Sequence, residues 1–458
     1  MVPPWTPGPR ESELHLPGTR SPRTSHRVGT PEYDAACAAF NVAAVPAPEL
    51  AVAAASLADI RAAVRYAAEH GLPVSVHATG HGAARPVDGG LLINTAALDT
   101  VRIDPDRRTA TVGAGARWRE VIAAAAPYGL APLNGSSSDV GVVGYCLGGG
   151  MGPMARTFGF AADHVQSLTM VDADGDLRFV DADREPDLFW AMRGGKHPLG
   201  VVTEMTVGLV PVADVYGGAI FFPGDDAPTV MHAFREWAPT LPASTTTSIS
   251  LLRLPDIDPV PPPLRGRLSV HLRYVHVGDD DTGARLLAPM RAAATPIADL
   301  VCRMPYTLID SVHQDPTDPM PAWDSGCLLS ELTPDTVDAM LQIAGPGADV
   351  PLVLAEFRLL GGALGEEPSI PNAVSGRGAP FLACAIGPYP PPLRQAVDAV
   401  GGALMHSLQP WSIGAQANFP DRVVAPGDPH RIWPRDVVDR LRSIAADVDP
   451  DRRFAAAW

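Results

Sequence analysis

Asn134-Gly-Ser-Ser-Ser-Asp-Val-Gly-Val-Val-Gly-Tyr-Cys-Leu-Gly-Gly-Gly-Met-Gly152 carries seven glycines in nineteen residues and runs into a helical pattern. Glycine lets a backbone approach a ligand closely, and free N–H groups beside a helix start make a cradle for a pyrophosphate. One such loop is weak evidence, because glycine is common at turns. No Gly-Lys-Ser/Thr follows, so this is not a P-loop, and the spacing is not that of a dinucleotide-binding βαβ turn.

Two further glycine loops flank it. Upstream is Thr79-Gly-His-Gly82, and downstream is Asp187-Leu-Phe-Trp-Ala-Met-Arg-Gly-Gly195 followed by Leu199-Gly-Val-Val-Thr203. Around them the pattern is α/β. Ser56-Leu-Ala-Asp59 is a capping box opening a helix over Leu57–His70, with Ile60, Val64 and Ala67 at helical spacing and Gly71 as its C-terminal cap. Leu72–Val76, Leu91–Asn94 and Arg102–Val112 read as strands, the last broken by an Asp104-Pro-Asp106 turn, and Trp118–Tyr128 reads as a helix. Leu168–Val180 reads as a hairpin folded at Asp174-Gly175. After about Ala213, strands (Thr245–Leu254, Leu268–Val275, Leu352–Leu360, Phe381–Ile386) alternate with helices (Pro228–Trp237, Thr282–Ala294, Pro334–Ile343), an α+β layout of a sheet backed by helices. The run Asp258-Pro-Val-Pro-Pro-Pro263 is a stiff loop, and Asp436–Ala446 is a final helix.

Bulk properties limit the function. A chain of 458 residues exceeds one ordinary hydrophobic core, so two or three domains are expected. The absence of an 18-residue apolar run excludes a membrane helix. A net charge of −16 argues against nucleic acid as a partner. Five scattered cysteines suit a reducing cytoplasm, not a disulfide framework. Residues 1–28, rich in Pro, Ser and Arg without an apolar stretch, read as a disordered or wrapping arm, not a secretory signal.

The three loops in this order resemble the flavin domain of the vanillyl-alcohol oxidase/p-cresol methylhydroxylase superfamily (the PCMH-type FAD-binding domain), most closely the berberine-bridge-enzyme-like FAD-linked oxidases. The resemblance runs from Tyr33-Asp34 to Val212 and resumes at Gln416-Ala-Asn-Phe419 and Asp449-Pro-Asp-Arg-Arg-Phe454. It implies an α+β fold: an FAD-binding domain of two α/β subdomains over 29–212, a substrate domain with an antiparallel sheet backed by helices over 213–405, and a C-terminal segment, 406–458, returning to the FAD domain. It also implies FAD. His81 falls on the residue whose imidazole bonds the flavin 8α-methyl carbon. Thr79, Gly80, Gly82, Ser137, Asp139, Gly141, Gly144, Tyr145, Gly148, Gly149, Val201, Val202 and Asn418 fall on cofactor-contacting positions.

Three departures follow. Ser137 stands where many relatives have a second, cysteine attachment, and Cys146 falls at a variable position, so attachment through His81 alone is expected. The usual glycines and asparagine of the third loop become Lys196-His197-Pro198. The family's Tyr-x-Asn becomes Gln416-Ala-Asn418, and glutamine cannot abstract a proton, though it can orient a substrate. Replacement catalytic residues are sought at Tyr306 and His271. On alternating strands, Ser269, His271 and Arg273 share one face, and Glu356 and Arg358 share another, with a solvated sheet face as the alternative for each. The resulting expectation is an oxidase, monomeric or homodimeric. It would take hydride from a small organic substrate, tailor a secondary metabolite by alcohol oxidation or oxidative cyclisation, and return electrons to O2. The alternative is a non-redox cyclase with structural FAD.

Overall fold

The structure is a computed structural model describing residues 25–82, 87–196, 199–258 and 260–454. The expected N-terminal arm lies outside the described residues except at its end. There Ser25–His26 pairs antiparallel with Leu50–Ala53.

The helix Leu57–His70 begins where its capping box predicts. Ser56 Oγ accepts from the Asp59 N–H at 3.2 Å and donates to the Asp59 carboxylate at 2.8 Å. Gly71 ends it at φ +66°, a left-handed conformation that glycine adopts without strain. Its apolar stripe of Ile60, Ala63, Val64 and Ala67 is fully buried against the strands Leu50–Ala53, Leu91–Asn94 and Val74–His77. Those three pair in parallel, with Leu91–Asn94 in the middle. The central strand is buried along its length, as parallel strands are.

A second sheet of five antiparallel strands has the order Val101–Asp104, Thr109–Gly113, Val201–Gly208, Val165–Val171, Leu177–Asp181. The expected turn at Asp174-Gly175 closes its hairpin, with Asp172 accepting from the Asp174 and Asp176 N–H groups. Trp118, Val121 and Ile122 of the helix Trp118–Ala125 share its core with Met170, Met205 and Val207.

The third sheet has nine strands, every pair antiparallel. From one edge the order is Ala298–Asp299, Asp214–Pro223, Leu268–His276, Thr245–Arg253, Leu354–Leu359, Phe381–Pro388, Ala322–Leu329 and Ser412–Gly414, with Cys302–Pro305 also paired to Asp214–Pro223. One face buries Ile249, Leu272, Tyr274, Phe357 and Ala383 in one core with Phe234 of Ala227–Trp237, Met340 of Pro334–Ala344 and Leu404 of Arg394–Ser407. The other face meets the segment after the glycine-rich loop, where Met151, Ala155 and Phe160 pack with Phe221, Leu328, Leu382 and Cys384. Arg156 clasps the seam. Its buried guanidinium donates to the carbonyls of Thr245 (2.7 Å), Leu241 (3.0 Å) and Leu360.

Some local expectations change. The triple glycine also ends a short helix, Val142–Leu147, with Gly149 and Gly150 at φ +101° and +79°, and the helix that follows it is the single turn Ala155–Phe158. The strands Asp214–Pro223 and Ala322–Leu329 and the helix Arg394–Ser407 were not foreseen. Both strands are nearly continuously buried, so no alternation marks them, and Gly217-Gly218 further obscures the first. Residues 412–414 of the C-terminal segment extend the nine-stranded sheet. The helix Arg435–Val448 then packs on Pro186–Ala191, and Phe454 pairs with Val74 of the parallel sheet.

Candidate functional site

His81 follows Gly80, whose φ of +67° and contact with Ala39 exclude a side chain: a Cβ there would lie 2.5 Å from Ala39 Cβ. The Thr79 carbonyl is tied to the Phe40 N–H at 2.8 Å. This sets the imidazole flat on the Phe40 ring, centroids 3.9 Å apart and planes 9° off parallel. Among the described residues, neither ring nitrogen has a hydrogen-bond partner. Burial, helped by the nearby Arg117 guanidinium and opposed by Asp139, pushes the His81 pKa down to about 4. The ring is therefore neutral near pH 7, with a free lone pair. An orphaned imidazole in a glycine loop fits covalent attachment to a flavin.

The middle loop packs beside it. A Cβ on Gly141 would meet Thr79 Cγ2 at 3.5 Å. Ser137 Oγ accepts from the Asp139 N–H at 3.3 Å, and Asp139 is buried against Arg117 (3.7 Å) and Arg119. The Ser138 N–H donates to Asp310 at 3.0 Å, tying the loop to the helical turn Tyr306–Val312. Gly148 leaves room for Asn418: a Cβ there would lie 2.0 Å from Asn418 Oδ1. Asn418 donates to the Tyr145 carbonyl at 3.0 Å. Gly149 is buried beside Val374 and Phe160. Tyr145 has its hydroxyl buried without a partner, its ring standing edge-on to Trp118. Gly144 and Gly82 are exposed. Val201 and Val202 point into the cores, which leaves their backbone for any ligand contact. Cys146 is fully buried in the hydrophobic core, and burial alone raises its thiol pKa.

Lys196 joins these elements and was passed over as a site residue. Its Nζ donates to Asn418 Oδ1 at 2.6 Å. The same atom lies 3.6 Å from the Cβ position of Gly82, and Cδ lies 3.0 Å from that of Gly148. A signal existed in the composition: of 35 basic residues, Lys196 is the one lysine and the rest are arginines. Burial lowers its pKa to about 8, with Arg422 adding to the effect and Asp324 opposing it.

On the sheet side, the residues expected to share faces converge. The solvated-face alternative is overturned: Ser269, His271, Arg273, Glu356 and Arg358 are all buried. The reason is that this face meets the segment after the glycine-rich loop, not water. Glu356 is held between Arg358 (3.2 Å) and Arg273 (2.9 Å). Despite burial, the two guanidiniums keep its carboxyl well below the usual range. Arg273 Nε has no acceptor among the described residues. His271 stacks on Phe221 at 4.4 Å, and burial, with Arg273 and His313 adding, holds it neutral. A small cavity of about 20 Å³ opens here between Gly152 and Pro153 on one side and Thr246, Ser248, Arg273, His313 and Arg358 on the other.

Tyr306 and Gln416 occupy other settings. Tyr306 donates to Asn134 Oδ1 at 2.6 Å and lies 3.1 Å from the Pro132 carbonyl, and burial raises its pKa. Gln416 Nε2 donates to the Ser375 carbonyl at 2.7 Å. Neither lines the small cavity.

Residues 48–181 match the family described as the FAD binding domain. The FAD-linked oxidoreductase YgaK of Bacillus subtilis is 28% identical over 443 residues, 93% of each chain. The (R)-6-hydroxynicotine oxidase of Paenarthrobacter nicotinovorans is 28% identical over 58% of each chain. The solved BBE-like 1 of Physcomitrella patens superposes with a TM-score of 0.81 at 19% identity, covering 94% of this chain and 95% of that one. Fold and site together define a flavoprotein oxidoreductase. More particularly, the chain carries a match to the FAD binding domain, is similar to FAD-linked oxidoreductases, and has the PCMH-type fold of the berberine-bridge-enzyme-like proteins.

Proposed function

We propose that the chain oxidises a small organic molecule held between the flavin of FAD and the polar face of the nine-stranded sheet. The observation that carries this is the buried cluster of Arg273, Glu356 and Arg358, which faces Gly152-Pro153, the residues that follow the triple glycine. FAD supplies a two-electron acceptor, and the protein supplies position and charge.

His81 would hold FAD covalently and alone, since Ser137 offers no thiol and Cys146 is sealed in the core. The Thr79–Gly82, Ser137–Gly141 and Gly148–Gly149 loops and Asn418 would hold it noncovalently. Tyr306 and Gln416 lie away from the cavity with donors committed to Asn134 and Ser375, so proton abstraction would fall to His271, a neutral imidazole on the same sheet face as Arg273. Glu356 fixes the two arginines. Two guanidiniums against one carboxylate leave Arg273 Nε to bind an acceptor, which favours a substrate bearing a carboxylate or similar anionic group.

The paired arginines fit a compact anionic substrate better than a neutral oligosaccharide. This agrees with tailoring of a secondary metabolite by alcohol oxidation or oxidative cyclisation, with O2 as final acceptor. Free cysteines agree with a cytoplasmic protein acting as a monomer or homodimer.

Two measurements test the reading. Acid-precipitated protein should keep its yellow colour in the pellet and lose it in His81→Ala. Anaerobic mixing with substrate should bleach the visible flavin band. Product formed without bleaching would instead favour a non-redox cyclisation, and protein that stays colourless when supplied with FAD would overturn both readings.

A further inference from the structure

Lys196 is the single lysine in a chain that otherwise uses arginine for positive charge. It sits where three segments meet, although they are distant in sequence: the loop bearing His81, the triple glycine and Asn418. The stem passes a gap in which Cδ lies 3.0 Å from the Cβ position of Gly148. A four-carbon stem with a compact ammonium fits there, whereas a planar guanidinium fork presents five donors to a place with one acceptor. Among the described residues, the charged groups around Nζ are Asp324 and Arg422, which pair with each other at 3.0 Å and so leave the ammonium without a carboxylate of its own. His81 on the adjoining loop is neutral. A half-buried cation with a neutral amide as its hydrogen-bond acceptor carries a desolvation cost that an anion completing the site would offset.

We infer that the missing anion is the reduced flavin, and that the Lys196 ammonium binds the reduced ring more tightly than the oxidised one, raising its reduction potential. Hydride delivery brings two electrons and one proton, so the site gains one unit of negative charge. The substrate loses two electrons, and its remaining proton leaves to a base or to solvent. The oxidised ring is neutral and gives the ammonium little. This rests on the flavoenzyme reading above and assigns a charge-stabilising role to a position that the related loops fill with glycine.

Linkage makes the idea measurable at Lys196 itself. If the ammonium favours the reduced ring tenfold, reduction must raise the Lys196 pKa by one unit. A tenfold effect corresponds to about 30 mV for a two-electron couple. Protein grown with [ε-13C]lysine gives a single side-chain resonance, because there is one lysine to label. The holoenzyme should show a Lys196 pKa that is depressed when oxidised and at least one unit higher after dithionite reduction. Sulfite, which adds to oxidised flavin and leaves it anionic, should bind Lys196→Met at least tenfold more weakly than wild type, with Lys196→Arg in between.

A pKa that does not change on reduction, or unchanged sulfite affinity in Lys196→Met, overturns the inference while leaving the flavoenzyme reading intact. Colourless protein that takes up no FAD overturns the reading itself, and the inference with it.

Discussion

Arg156→Met tests whether the two halves of the molecule are held by hydrogen bonds to one buried cation. The guanidinium is 6% exposed and donates to the carbonyls of Thr245, Leu241 and Leu360, with the Pro242 carbonyl at 3.4 Å. All these acceptors lie in or beside strands of the nine-stranded sheet, while Arg156 lies on the short helix Ala155–Phe158 that follows the triple glycine. Methionine fills much of the volume but donates nothing, so three buried carbonyls lose their partner at about 1–3 kcal/mol each. Against this, Arg156 has no carboxylate partner, and its pKa is lowered by burial alone, so removing the charge relieves a desolvation cost. The balance is a net loss of about 3 kcal/mol, which is large beside the ordinary stability of a folded protein. Urea unfolding followed by tryptophan fluorescence should show a lower midpoint in Arg156→Met, with Arg156→Lys recovering part of the loss. A change under about 1 kcal/mol would show that the carbonyls find water, and that the clasp is not what joins the two sides.

Flavin-free protein from riboflavin-limited cells should lose stability as pH falls from about 6.5 to about 4, because the unfolded chain protonates His81 in that window and the folded one does not. The loss should be about 2 kcal/mol smaller in His81→Phe after allowing for partial exposure, as read from urea midpoints at each pH. Lys196→Met should stabilise the flavin-free protein by about 1–2 kcal/mol at pH 7, since the folded state holds this ammonium below its ordinary pKa; the gain should shrink as pH rises above 8. Of the five cysteines, Cys302 is exposed and the other four are buried, so one thiol should react rapidly with a disulfide reagent in the native state and none in Cys302→Ser.

Local chemistry wrote much of this fold into the chain. The Ser56-Asp59 capping box, the Gly71 cap and the Asp174-Gly175 turn each satisfy their hydrogen bonds within a few residues, so the sequence shows them directly. The three glycine loops and their order pointed to a flavin, and His81 stood out because its neighbours are glycines. The strands Asp214–Pro223 and Ala322–Leu329 were hidden because both of their faces are buried, which erases the alternation that marks a strand.

What only tertiary structure decided is which distant residues share one dry space. Lys196 and Asn418 are 222 positions apart and meet at 2.6 Å, and Arg273 meets Glu356 on a face that sequence alternation could equally have given to solvent. Alternation reports that a face is polar, but not what lies against it. A second layer of the protein turned these charges from a solvated surface into a buried site, and burial is what gives His81, Lys196 and His271 their chemistry.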